Sequence, residues 1–179
     1  TGPVVREMAR RMQRYSEALE FEKAAEVRDR IAAVRRTGEQ QAVNLPDLKA
    51  RDVIHVGRRK EDLLFVVLFV RDGKLISTRH HFIRSDAEFP EALCAFLVQF
   101  YAEGKAVPPE ILVSEEPESR ELVEGWLSEQ RGGKVVIRRP RRGKARDLLR
   151  LAAENSDAAM RRAEASARER TAFALEALA

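Results

Sequence analysis

Leu63-Leu64-Phe65-Val66-Val67-Leu68-Phe69-Val70 runs into Arg71-Asp72-Gly73, and then into Lys74-Leu75-Ile76-Ser77-Thr78-Arg79-His80-His81-Phe82-Ile83. The first eight residues are continuously apolar. That predicts a strand covered on both faces, and it is far too short to span a bilayer. Asp72-Gly73 is a two-residue hairpin signal, because such a turn needs positive φ at both positions. Lys74 to Ile83 returns with more polar residues, as a strand with one exposed face. Upstream, Asp52 to Val56 is short and rich in β-branched residues. Three antiparallel strands follow.

Working towards the C-terminus, the period changes. Phe89 to Tyr101 places Leu93, Phe96, Leu97 and Phe100 at helical spacing, and Pro108-Pro109 breaks the pattern. Glu110 to Ser114 is a fourth strand. Glu118 to Glu129 is a helix with Leu122, Val123, Trp126 and Leu127 inward. Gly132-Gly133 turns the chain into a fifth strand, Lys134 to Ile137. Arg138 to Gly143 is a basic loop around Pro140. Lys144 to Ala179 is mostly helix, rich in Ala, Leu, Arg and Glu. Three antiparallel strands followed by alternating helix and strand predict a mixed five-stranded sheet with helices on both faces. That is the ribonuclease H-like order, and a fold alone does not give a function.

Working towards the N-terminus, Val4, Val5, Met8, Met12, Tyr15 and Leu19 recur at three- and four-residue steps. Phe21, Ala24, Ala25, Arg28 and Ile31 do the same, with Val27 and Val34 beside them. The joint over Ala18 to Phe21 is so short that the two helices must be antiparallel. A hairpin of this size cannot bury a large core, so its apolar face should seek a partner. Gly38 can end the second helix. Glu39 to Lys49, with Asn44 and Pro46, has no periodicity. The expected organisation is a helical hairpin over 1–38, a linker over 39–50 and an α+β domain over 51–179.

The charge is local. Lys and Arg number nine against seven Asp and Glu over 1–43, eleven against sixteen over 44–130, and nine against one over 131–150. The basic pI of about 9.5 therefore reflects one patch of +8, which can attract nucleic-acid phosphate. The single cysteine, Cys94, excludes an internal disulfide and a multi-cysteine zinc site, and fits a reducing cytoplasm. The chain opens at Thr1-Gly2-Pro3 inside a helical pattern, without a charged-then-apolar leader, as a piece of a longer protein would.

Two stretches carry a family resemblance. Glu20-Phe21-Glu22-Lys23-Ala24-Ala25-Glu26-Val27-Arg28-Asp29-Arg30-Ile31 resembles the UVR motif, a helical hairpin shared by the excinuclease ABC proteins UvrB and UvrC. Val98-Gln99-Phe100-Tyr101, Pro109 to Val113, Pro140 to Lys144 and Leu151 to Asn155 resemble, in order and spacing, the region that follows this motif in the UvrC family. The resemblance covers nearly the whole chain. It implies a larger protein with a GIY-YIG nuclease at one end, a catalytic ribonuclease H-like nuclease at the other, and helix-hairpin-helix motifs after that. None of these catalytic signatures stands in this sequence, so the chain is expected to be the connecting middle of such a protein. The implied process is nucleotide excision repair, and the implied partners are UvrB and DNA. No cofactor, metal, membrane or small-molecule substrate is expected.

Each candidate site has two readings. Phe21 and Ala25 could form the small hairpin core, with Glu22, Lys23, Arg28 and Asp29 as a solvated face. They could instead, or in addition, meet a matching hairpin on UvrB, because isolated hairpins gain stability by pairing into four-helix arrangements. Arg138, Arg139, Arg141, Arg142, Lys144 and Arg146 could be a solubilising run or a grip on DNA phosphate around a helix N-terminus. With no aromatic interleaved among them, that grip would be sequence-independent. Two-metal nuclease chemistry needs several acids converging on the ions. Asp52 at the start of the first strand, with Glu115 and Glu116 after the fourth, does not supply that set. An inert domain is therefore expected, with an autonomous nuclease or a UVR-type adaptor outside DNA repair as rivals. His55, His80 and His81 are too scattered for a metal site. Cys94 reads as a core thiol.

Overall fold

The computed structural model describes residues 2–42 and 45–176, with side chains over 5–31 and 45–167. The chain divides into two compact units, 1–44 and 45–179. In the first, α1 (Gly2–Glu17) and α2 (Phe21–Ala42) pack against each other. The turn between them closes through Leu19 N to Ser16 O (3.0 Å) and Glu20 N to Tyr15 O (2.9 Å). Leu19 takes the left-handed conformation, φ 57°, that a helix end of this kind demands. Among the described residues of this hairpin, Val27 and Ile31 are buried, and Val5, Met8, Met12 and Tyr15 are half-buried. The expected stop at Gly38 does not occur, and helix continues to Ala42 through the first residues of the expected 39–50 linker. Glycine weakens a helix interior by about 1 kcal/mol, which neighbouring turns can absorb. The side chains of Val4 and Val34, and residues 177–179, lie outside the described residues.

The second unit is built on five strands: β1 (Arg51–Arg59), β2 (Asp62–Arg71), β3 (Lys74–Arg84), β4 (Glu110–Val113) and β5 (Val136–Arg138). Their spatial order is β3-β2-β1-β4-β5. The first three pair antiparallel, while β4 and β5 join parallel to β1. The continuously apolar strand is β2, and its Leu63 to Leu68 are all but inaccessible. Asp72 and Gly73 turn it back with φ of 50° and 72°, the pair of positive values that a hairpin turn matching the sheet twist requires. Gly73 is needed twice over, since a Cβ there would stand 2.2 Å from the Leu45 carbonyl oxygen.

Alternation along the strands makes two layers. Ile54, Val56, Leu63, Phe65, Val67, Ile111, Val113 and Ile137 form one core with α3 (Phe89–Ala102) and α4 (Arg120–Arg131). The opposite face meets α5 (Gly143–Glu176), which packs on β1, β2 and β4 through Leu148, Leu149, Ala152, Ala159 and Met160. At Gly57 the approach is so close that a Cβ would lie 2.6 Å from Ser156 Oγ. The mixed sheet with flanking helices is the predicted ribonuclease H-like arrangement, with shifted boundaries. β1 runs to Arg59. Helix α4 starts at Arg120 because Ser119 is left-handed, φ 53°. β5 occupies only Val136–Arg138.

Candidate functional site

Three groups of predicted residues can now be placed. In the hairpin unit, Phe21 opens α2 and is 64% exposed, next to Leu19 at 73%. The reading that puts Phe21 in the hairpin core is not what the structure has, since Val27 and Ile31 occupy that place. Ala25 is half-buried and Glu22 exposed. Arg28 Nε lies 3.0 Å from Asp29 Oδ1, both side chains being largely in solvent. Lys23 pairs with Glu20 at 3.0 Å and sits 5.8 Å from the centre of the Tyr15 ring. Two large apolar side chains at a helix turn, ringed by charges, are accessible to a partner.

The basic segment divides by its partners. Arg138 reaches Glu110 at 2.7 Å, and Arg139 reaches Glu115 at 3.0 Å. Arg141, Arg142 and Arg146 are exposed and have no ion-pair or hydrogen-bond partner among the described residues. Lys144 is also exposed. Pro140 is buried and pins the loop, and Gly143, at φ 73°, turns it into α5. Free guanidinium groups therefore flank the end of a long helix whose first N–H groups carry partial positive charge.

The carboxylates expected to be unsuited to catalysis are each engaged. Asp52 is buried, accepting from Tyr101 Oη at 2.7 Å and Arg71 Nη1 at 2.8 Å. Burial raises its carboxyl above the ordinary range, against the pull of Tyr101 and Arg71. Burial and the Asp52 charge lift the Tyr101 hydroxyl well above its ordinary value. Arg71 also donates to the carbonyls of Arg51 (3.0 Å) and Val70 (2.8 Å). Glu115 pairs with Arg139, and Glu116 with Arg120 at 3.0 Å. Asp52 aligns with Ile111 in the parallel register, while the two glutamates follow Val113 past the other end of β4. The strand length thus separates Asp52 from them. Among the described residues, no three His, Cys, Asp or Glu side chains gather where they could hold a metal ion.

His55 lies on β1, and His80 and His81 lie on β3. His55 is half-buried, and burial lowers its pKa against the fields of Asp157 and Glu115. His81 stands edge-on to Phe96 and Phe100, with ring centres 5.5 and 5.6 Å away. Cys94 is half-buried beside the core, and burial raises its thiol. Sequence reading missed the Asp52–Tyr101–Arg71 network. Its only local signal is an acid at the start of a strand rich in β-branched residues, since its partners lie 49 and 19 residues away. No described helix is long and apolar enough to cross a membrane.

The family described as the UvrC ribonuclease H-like domain matches residues 50–163, and the UvrB/uvrC motif matches residues 4–37. Among curated relatives, the UvrABC system protein C of Symbiobacterium thermophilum is 39% identical over 163 residues, covering 89% of this chain and 26% of the relative. That of Moorella thermoacetica is 37% identical over 155 residues, covering 86% and 25%. That of Desulforudis audaxviator is 38% identical over 156 residues, again covering 86% and 25%. The chain thus spans about a quarter of the length of these relatives. With residues 50–163 matching the domain and residues 4–37 matching the motif, the chain belongs to the UvrC family, as a UVR motif followed by the UvrC ribonuclease H-like domain.

Proposed function

We propose that this chain is the docking and spacing segment of an incision protein in bacterial nucleotide excision repair, working in the cytoplasm. Its hairpin binds the matching hairpin of UvrB, and the segment at the start of α5 grips the DNA backbone. The observation that carries the DNA reading is the set of exposed guanidinium groups without protein partners among the described residues, Arg141, Arg142 and Arg146, beside the α5 N-terminus. No aromatic ring is interleaved in that segment to stack on bases, so we take the contact to be to phosphate and independent of sequence. Exposed Phe21 and Leu19 support the docking reading, because aromatic anchors at the centre of an interface supply a large share of its binding energy. The engagement of Asp52, Glu115 and Glu116 with cations supports a spacing role over the rival nuclease reading.

Duplex binding across a salt series tests the DNA contact. Each lost phosphate contact should lower the slope of log K against log salt by about 0.9. Arg141, Arg142 and Arg146 changed together to alanine should therefore flatten the slope by about 2–3. Changing Arg138 and Arg139 should move it less, because Glu110 and Glu115 already neutralise them. Equal slopes for wild type and the triple variant would remove the phosphate contact.

A further inference from the structure

The edge strand β3 presents two rings that the core does not use. Its register on β2 aligns Phe82 with Leu64, His81 with Phe65 and His80 with Val66. His81 turns towards Phe96 and Phe100 on the α3 side, so His80 and Phe82 stand on the α5 side. There Leu64 and Val66 are completely buried, whereas Phe82 is 51% exposed and His80 is also exposed. Two residues apart on one strand face, the rings are about 7 Å apart along the strand, with room for a flat group on each.

The charge around them is mostly basic. β3 carries Lys74, Arg79 and Arg84 and no acid. Of the nearby acids, Glu61 pairs with Arg84 and Glu164 with Arg59, while Asp62 stands opposite Arg84 in the register. Arg162 of α5 lies close enough to His80 to disfavour its protonation, and is exposed without an ion-pair partner among the described residues. Partial desolvation against the sheet and this neighbour both hold the imidazole below its ordinary pKa, which favours the uncharged ring.

We propose that the α5 side of β3 is a stacking platform for unpaired nucleobases, with Phe82 and His80 as the rings and Arg162 as the phosphate contact. Exposed rings on a sheet face beside free arginines are how proteins hold single strands, because every base has a face to stack and every link has a charge. A second copy of the chain is a poor occupant. Pairing β3 antiparallel with itself opposes strands whose charges are all basic. The platform is separate from the proposed duplex grip, since Arg162 lies about 24 Å along α5 from Arg146.

The test uses the 179-residue chain and a labelled oligothymidylate of about 12 nucleotides, within the usual site size for such surfaces. An abasic oligomer of equal length and a duplex are the controls. Phe82→Ala should weaken oligothymidylate binding about tenfold and Phe82→Tyr should preserve it, stacking being worth roughly that much per base. His80→Ala should weaken it severalfold. Duplex binding should be unchanged in all three, and should fall instead when Arg141, Arg142 and Arg146 are replaced. Circular dichroism would establish that the variants fold. Equal affinity for the abasic and base-bearing oligomers would overturn the proposal. So would an unaltered Phe82→Ala, or concentration-dependent dimerisation that Phe82→Ala abolishes.

Discussion

Asp52 is a carboxylate taken out of water and held by a hydroxyl and a guanidinium. Its position at the start of β1 gives it a structural part, anchoring Tyr101 of α3 and Arg71 at the end of β2 to one strand end. Removing one partner leaves the other without compensation, and a broken buried pair costs about 3–5 kcal/mol. Arg71→Ala should therefore lower the unfolding free energy by roughly that amount, discounted because Arg71 is partly exposed. Tyr101→Phe removes one hydrogen bond and should cost about 1–3 kcal/mol. The sign of the pH dependence follows from burial. The Asp52 pKa is raised in the folded state above its ordinary 3.8, so its contribution favours folding below that value and is lost as pH rises through the folded pKa. Asp52→Asn removes this titration. Denaturant unfolding from roughly pH 3 to pH 7 should show the variant gaining on wild type as pH rises. A constant difference across that range would mean that Asp52 does not titrate differently on folding.

At the level of elements, two glycines decide how closely pieces approach. Gly57 lets α5 cross β1, and a methyl there would meet Ser156 Oγ at 2.6 Å, with Ser156 itself buried. Gly57→Ala should destabilise by about 1–3 kcal/mol through overpacking. Combining it with Ser156→Ala, which withdraws the hydroxyl, should restore part of the loss. Additive effects in a double-mutant cycle would show that the two positions do not touch. Gly73→Ala combines a disfavoured φ with a collision against the Leu45 backbone, which cannot swing aside as a side chain can. It should cost at least about 2 kcal/mol, read as a lower denaturation midpoint. Among the described residues of the hairpin unit, Val27 and Ile31 are the buried ones. Ile31→Ala should cost about 2–5 kcal/mol of its stability, seen as faster amide exchange across α1 and α2.

For the whole molecule, the proposed contacts occupy different elements, so they should be separable. Phe21→Ala with Glu22→Lys and Arg28→Glu should weaken binding to UvrB by at least about thirtyfold, the cost of losing an aromatic anchor, and leave duplex affinity within twofold or so. The Arg141, Arg142 and Arg146 variant should do the reverse. Titration calorimetry against UvrB and anisotropy with duplex would read both. If each variant damaged both contacts, the two surfaces would be parts of one. Much of this was legible in order along the chain. The apolar run of β2, the Asp72-Gly73 turn, the helical spacing of α3 and the basic segment are local facts, because hydrophobic period and turn geometry act over a few residues. The sequence by itself therefore determined the element order, the mixed sheet and the family. What only tertiary structure decided was who meets whom. Arg138 and Arg139 read as members of one basic run, yet partners 28 and 24 residues away neutralise them. Phe21 read as hairpin core, partner contact or both, and it is exposed while Val27 and Ile31 are buried. Phe82 is exposed because β3 is an edge strand. Each outcome depends on strand register and helix placement, which energies summed over the whole fold select and no short stretch of sequence encodes.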